Sequence, residues 1–235
     1  MSTQTLLRIS LPDGVTLYAS HFREMLARLP GVPAALFHRD GEGKTINERP
    51  GIRFVGESGW VGLLADSENE PLVTAVTGAA ILAVSAFANR PCKVQIERLN
   101  FGLKLSHSPQ IYWVREMAIK RKSPKARAQE VGSLIAERAL TSLEATCDKY
   151  GFDCPTDQQL QISTVEIVRE RGMNLETSTG LTGMFVHLVD AVIVVHADID
   201  GMWFVGNLTA RGYGRLIKPR SGMRMEENNR GGILK

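Results

Sequence analysis

A chain of 235 residues, 43% hydrophobic and 23% charged with a mean hydropathy of -0.08, can bury a core and is neither collagen-like nor wholly disordered. The net charge of +3 is too mild to define a nucleic-acid binder, but the 28 basic residues are 19 Arg and 9 Lys, and guanidinium suits bidentate contact with phosphate or carboxylate. Residues 203–235 carry seven basic and two acidic residues, hence +5, while the remaining 202 residues hold 21 basic and 23 acidic. A slightly acidic body with basic segments is an electrostatic footprint.

The predicted elements, in chain order, begin with an alternating strand at Leu6–Leu11 and a Pro12-Asp13-Gly14 turn. Ser20 then caps a short amphipathic helix, with Phe22, Met25, Leu26 and Leu29 at i, i+3, i+4 and i+7 and a stop at Pro30-Gly31. Apolar stretches at Ala34–His38, Ile52–Val55 and Trp60–Ala65 predict strands. The apolar run Leu72–Ala88, broken by Thr74, Thr77, Gly78 and Ser85, predicts a buried helix rather than a membrane span. This order is most of a βαββαβ ferredoxin-like unit, with Val94–Leu99 as its last strand or the first of the next.

Beyond it, Ile111–Ile119 predicts a strand, and Ser123-Pro124 opens a helix that runs to about Tyr150 and stops at Gly151. Leu160–Arg169 and Met184–His196 predict further strands. The expected fold class is α+β, with two tandem ferredoxin-like (RRM-like) units: residues 1–92, then 93–220 with a helical element at about 121–152 and a glycine-rich loop at 206–216. Residues 221–235 read as a loose basic tail.

The chain carries no GxxxxGK[ST], no GxGxxG with a following acidic partner and no GxSxG elbow. His21, His38, His107, His187 and His196 are scattered, and Cys92, Cys147 and Cys154 form no CxxC pair, so neither a metal nor another cofactor is expected. An odd number of cysteines without an apparent secretory leader points to the reducing cytoplasm. The informative stretch is DIDGMWFVGNLTARGYGRLIKPR, Asp198–Arg220. There Gly206, Gly212 and Gly214 interleave with Arg211, Arg215, Lys218 and Arg220, so that backbone can approach an anion while guanidinium groups neutralise it. A glycine-permitted hairpin with solvated arginines fits the same composition.

With the preceding strand VDAVIVVHAD, this segment resembles the carboxy-terminal glycine-rich loop of the CRISPR repeat-processing endoribonucleases of the RAMP superfamily. The matching positions are Val192–Val195, Asp198, Phe204, Gly206 and ARGYGRL from Ala210 to Leu216. Gly206 is followed by Asn207-Leu208-Thr209 rather than by a second glycine. Arginine richness makes the chain most similar to the type IV branch. The resemblance implies metal-independent cleavage of a repeat stem-loop in precursor RNA, retention of the mature crRNA, other CRISPR effector-complex proteins as partners, and no membrane. The ribose 2′-hydroxyl would attack the adjacent phosphorus, leaving a 2′,3′-cyclic phosphate and a 5′-hydroxyl.

In that family the reactive groups come from the first helix and second strand, which here offer His21, Arg23, His38 and Arg39. Arg23 is the first choice, as a stabiliser of the phosphorane placed in the first helical turn, where the helix amino terminus attracts phosphate. His38 and Arg39, adjacent on an expected strand, would face opposite sides, and His38 has the proton-transfer chemistry. A second basic cluster, Arg115, Lys120, Arg121, Lys122, Lys125 and Arg127, ends a strand and opens the long helix, where phosphate would relieve cations opposing the helix dipole. Tyr112, Trp113, Trp203 and Tyr213 are aromatic; Tyr213, between two glycines, is the one most expected to stack on an unpaired base. Two rival readings stay open: a non-catalytic RNA-binding subunit of the same superfamily, and a ferredoxin-like enzyme holding a small anionic substrate.

Overall fold

Alternation of apolar residues makes Ser2–Ser10 a strand, β1, that turns Leu7 and Ile9 into the core and Arg8 away from it. The computed structural model describes residues 2–40, 42, 44, 46, 50–120, 130–175 and 184–219. These divide into two compact units: residues 2–101 with Ala210–Gly212, and Gly102–Thr209 with residues 213–219.

In the first unit, β1 is followed by helix α1 (Ala19–Ala27), the hairpin strands β2 (Ile52–Glu57) and β3 (Trp60–Asp66), helix α2 (Glu70–Ala88) and the start of β4 (Lys93–Lys120). The antiparallel order β2-β3-β1-β4, with Leu7 opposite both Leu63 and Ile96, is the ferredoxin-like arrangement. Phe22 and Leu26 of α1 and Val73, Val76, Ala80 and Val84 of α2 close over Leu7, Ile9, Phe54 and Leu63. Phe54 organises the β2 side of this core, meeting Phe22 edge-on at 5.8 Å and stacking on Phe37 at 5.7 Å.

Several expectations are corrected. Ala34–Phe37 is a 3-10 turn rather than a strand, and His38 caps it in the left-handed region at φ 58°. Four apolar residues after Pro33 carry no period long enough to separate the two forms. The reading that His38 and Arg39 face opposite sides of a strand is therefore withdrawn. Helix α1 is entered from Tyr18, not Ser20, which puts Arg23 in its second turn rather than its first. Helix α2 is not buried all round. Four residues enter the core, while Leu82 and Phe87 on the outer side are 72% and 50% exposed. The segment Ser67–Ala88 is long and apolar enough to cross a membrane by composition, but its inner stripe packs within this unit.

Strand β4 joins the two predicted strands into one; Pro109 is absorbed where the register shifts between Leu105 and Gln110. In the second unit β4 pairs with β6 (Met184–Asp200), which pairs with β5 (Ser163–Leu175), and β7 (Arg215–Ile217) adds to Trp113–Arg115. A second shift, between Val114 and Met117, holds Glu116 at φ 50°, and its amide donates to the Asp190 carboxylate at 2.6 Å. Helix α3 (Val131–Tyr150) buries Leu134, Ile135, Ala139, Leu143 and Cys147. The helix is entered from Glu130, which is extended at φ -60° and ψ 137°, so it begins at Val131 and does not run unbroken from Ser123-Pro124, which lie outside the described residues. Leu160 belongs to a helical turn, Asp157–Leu160, closed by a Thr156–Gln159 capping box, so β5 begins later than expected.

Candidate functional site

Arg23 projects from the flank of α1, beside the apolar stripe of Phe22 and Leu26. Its guanidinium lies 5.5 Å from the Phe37 ring centroid and 5.9 Å from that of Phe54, and Nη2 donates to the Phe37 carbonyl oxygen at 3.4 Å. Its Nε is buried without a hydrogen-bond partner among the described residues. Burial, then the charges of Arg211 and Arg39, pull the Arg23 pKa down to about 10, and Glu24 opposes them. Three guanidinium groups thus share one locality of the first unit, and Arg23 among them is partly dehydrated. At neutral pH it remains a cation, with an unsatisfied donor and an unfavourable electrostatic environment that an anion would relieve.

The chain delivers Arg211 here through Gly212. At φ 84°, Gly212 lies so close to β2 that a Cβ would fall 2.2 Å from the Phe54 carbonyl oxygen, a conformation and an approach open to glycine alone. The structure therefore brings together Arg23, Arg39 and Arg211. The first two were expected as catalytic groups and the third as an RNA contact. The aromatic seat of Phe37 and Phe54 under Arg23 was not anticipated, although Phe37 stands just before the His38-Arg39 pair.

The histidines are placed differently. His21 is half-buried on α1 with its ring edge-on to Tyr18 at 5.7 Å. His38 is half-buried, and its backbone is engaged on both sides, donating to Ala35 and accepting from Ile46.

In the second unit, Arg115 and Arg215 stand directly opposite each other across the β4–β7 pair. Lys218 is exposed and paired with Asp198 at 2.8 Å, and the same carboxylate raises its pKa. Lys120 is half-buried, with its amide donating to Asn207 at 3.2 Å. Tyr213 packs partly buried against Ala118, Val186 and Leu188 rather than standing free between its glycines. Tyr112, Trp113 and Trp203 are core residues. Arg121, Lys122, Lys125, Arg127 and Arg220 lie outside the described residues, as does the 221–235 tail. Gly206 and Gly214 both take positive φ in the segment leading to β7. Among the described residues no three His, Cys, Asp or Glu side chains converge in a manner that could hold a metal ion. Burial, with Cys154 alongside, pushes the Cys147 thiol up to about 12, which removes it as a neutral-pH nucleophile.

A ferredoxin-like unit with a partly buried arginine on its first helix, continued into a second antiparallel unit, has the fold of the Cas6-type RAMP proteins. A crystal structure of Cas6b superposes with a TM-score of 0.65 at 13% identity over 92% of this chain and all of that one, and a CRISPR RNA processing endoribonuclease Cas6b with 0.57 at 10% identity over the same shares. The family model for the type IV CRISPR-associated endonuclease Csf5 matches residues 1–221, and the chain belongs to that family. A solved Csf5, described as the CRISPR-Cas type IV Cas6 crRNA endonuclease, is 34% identical with a TM-score of 0.82, over 93% of this chain and 100% of that chain. No curated protein sequence matches the chain.

Proposed function

We propose that this protein is a metal-independent endoribonuclease that cleaves CRISPR precursor RNA at the base of the repeat stem-loop and stays bound to the mature crRNA within a cytoplasmic effector complex. The observation that carries this reading is the Arg23 guanidinium, seated on Phe37 and Phe54 and crowded by Arg39 and Arg211. Attack of a ribose 2′-hydroxyl on the adjacent phosphorus concentrates negative charge on the non-bridging oxygens. Fixed cations in a partly dehydrated place stabilise that charge more than they stabilise the starting diester. The bond from phosphorus to the 5′-oxygen breaks, leaving a 2′,3′-cyclic phosphate and a 5′-hydroxyl. His38, one residue from Arg39, is the candidate to accept the 2′ proton, with His21 as the alternative.

The test is cleavage of repeat RNA in EDTA, with end-group analysis of both fragments. A 2′,3′-cyclic phosphate is expected, and Arg23→Ala should slow single-turnover cleavage roughly 100- to 1,000-fold while binding weakens far less. Intact RNA tightly bound at every pH would instead identify a non-catalytic RNA-binding subunit.

A further inference from the structure

On the second unit, strands β5 and β6 present an aromatic arrangement that the arginine cluster does not use. Phe185, at the start of β6, is 48% exposed. Its ring lies across the backbone of Gly172 on β5, where a Cβ would come within 2.6 Å of Cζ and 2.8 Å of Cε2. Gly172 stands opposite His187 in the β5–β6 register, and His187 shares a face with Phe185 as its i+2 neighbour. The two rings meet edge to face, with centroids 4.9 Å apart and planes at 85°. His187 is fixed in turn by Glu170, whose Oε1 lies 2.7 Å from Nδ1. An ionised carboxylate only accepts, so the bond to Glu170 engages Nδ1 as its donor and does not occupy Nε2.

A phenylalanine that is half in water, yet held on one side by a glycine and on another by an oriented imidazole, is immobilised without being buried. We propose that Phe185 is a stacking platform for an unpaired nucleobase of the bound RNA, with the imidazole of His187 beside it as a polar partner for the edge of the base. Stacking on aromatic side chains is the general means of holding single-stranded RNA, and a ring fixed in advance loses little entropy when a base settles on it. The Glu170–His187 pair bordering the ring fits a nucleobase, which is flat and polar at its edge, better than an aliphatic protein side chain. The inference rests on the reading that this chain binds repeat RNA, but not on cleavage or on Arg23.

The experiment uses the full chain and repeat RNA carrying 2-aminopurine at successive single-stranded positions. Phe185→Ala and Phe185→Leu should each weaken binding about 5- to 150-fold, with no change in the salt dependence, because no phosphate contact is lost. Phe185→Tyr should retain affinity. One 2-aminopurine position should be quenched by the parent protein and not by Phe185→Leu. Gly172→Ala keeps an ordinary backbone and needs only the ring to move, so it should fold and lose part of the affinity. Binding by Phe185→Leu within twofold of the parent would overturn the stacking role, since leucine replaces apolar packing but not a π face. Parent protein that binds no repeat RNA would bring down the RNA reading itself, an outcome distinct from the first.

Discussion

Phe37 meets the Arg23 guanidinium twice, once through its ring, 5.5 Å away, and once through its carbonyl oxygen, 3.4 Å from Nη2. The 3-10 turn Ala34–Phe37 makes this possible, because it directs the ring onto Phe54 while the chain turns away at His38. Replacing the ring while keeping the carbonyl isolates the first contact. Phe37→Leu should therefore slow cleavage about 3- to 30-fold, the range expected for a partly desolvated cation–π pair, with little change in RNA affinity. Single-turnover rates and binding isotherms on the same RNA check this.

The pH dependence of Arg23 has a definite sign. Its folded pKa, about 10, lies below that of the unfolded chain, so between the two the unfolded chain binds more protons and stability rises with pH. Below about pH 10 the group is charged in both states and its full burial cost persists. Arg23→Met should accordingly be more stable than the parent at pH 7, by about 1 kcal/mol once solvent screening is allowed for, or a rise in Tm of about 2–4 °C. The same variant should be nearly inactive, the pattern expected where function requires an unfavourable charge. Thermal melts at pH 7 with cleavage assays check both halves; a less stable variant would mean that Arg23 holds the fold together.

Much of the first unit is local in origin and so was readable. The alternation in β1, the i, i+3, i+4, i+7 stripe of α1 and the apolar run of α2 each fall within one element. The errors share a cause. Ala34–Phe37 is too short to show a period, and β4 reads as two strands because only a register shift reconciles Pro109 with one. The Thr156–Gln159 capping box is a local signal, carried by two residues three apart in sequence. Arg23 could be singled out from its place on a helix flank, whereas its dehydration could not. That depends on Phe37, Phe54 and Arg211, which only the tertiary fold assembles.

Gly212 tests how Arg211 reaches the cluster. Alanine there must hold φ near 84° and place its methyl 2.2 Å from the Phe54 carbonyl oxygen, so the turn must shift. Gly14 is the control, having φ 80° and open space around the missing side chain. Gly14→Ala should cost about 1–2 kcal/mol of stability and leave cleavage unchanged, since it carries only the left-handed penalty. Gly212→Ala should slow cleavage at least about tenfold in protein that still folds, because displacing one oriented donor forfeits part of a term worth 100-fold or more. Equal rates for the two variants would mean that Arg211 takes no part in the reaction.

Lys218 offers a separate reading of RNA contact through charge alone. Both it and Asp198 are half-exposed, so their 2.8 Å ion pair contributes at most about 1 kcal/mol to stability and breaks at little cost. If Lys218 meets a phosphate, it does so in competition with Asp198. Asp198→Asn should then tighten RNA binding at low salt, and Lys218→Ala should weaken it while reducing the slope of log K against log salt by about 1. In the double variant the gain from Asp198→Asn should vanish, since the freed cation is no longer there. Salt titrations of the four proteins measure this coupling directly, and additive effects would show that Asp198 repels the RNA by itself rather than by holding Lys218.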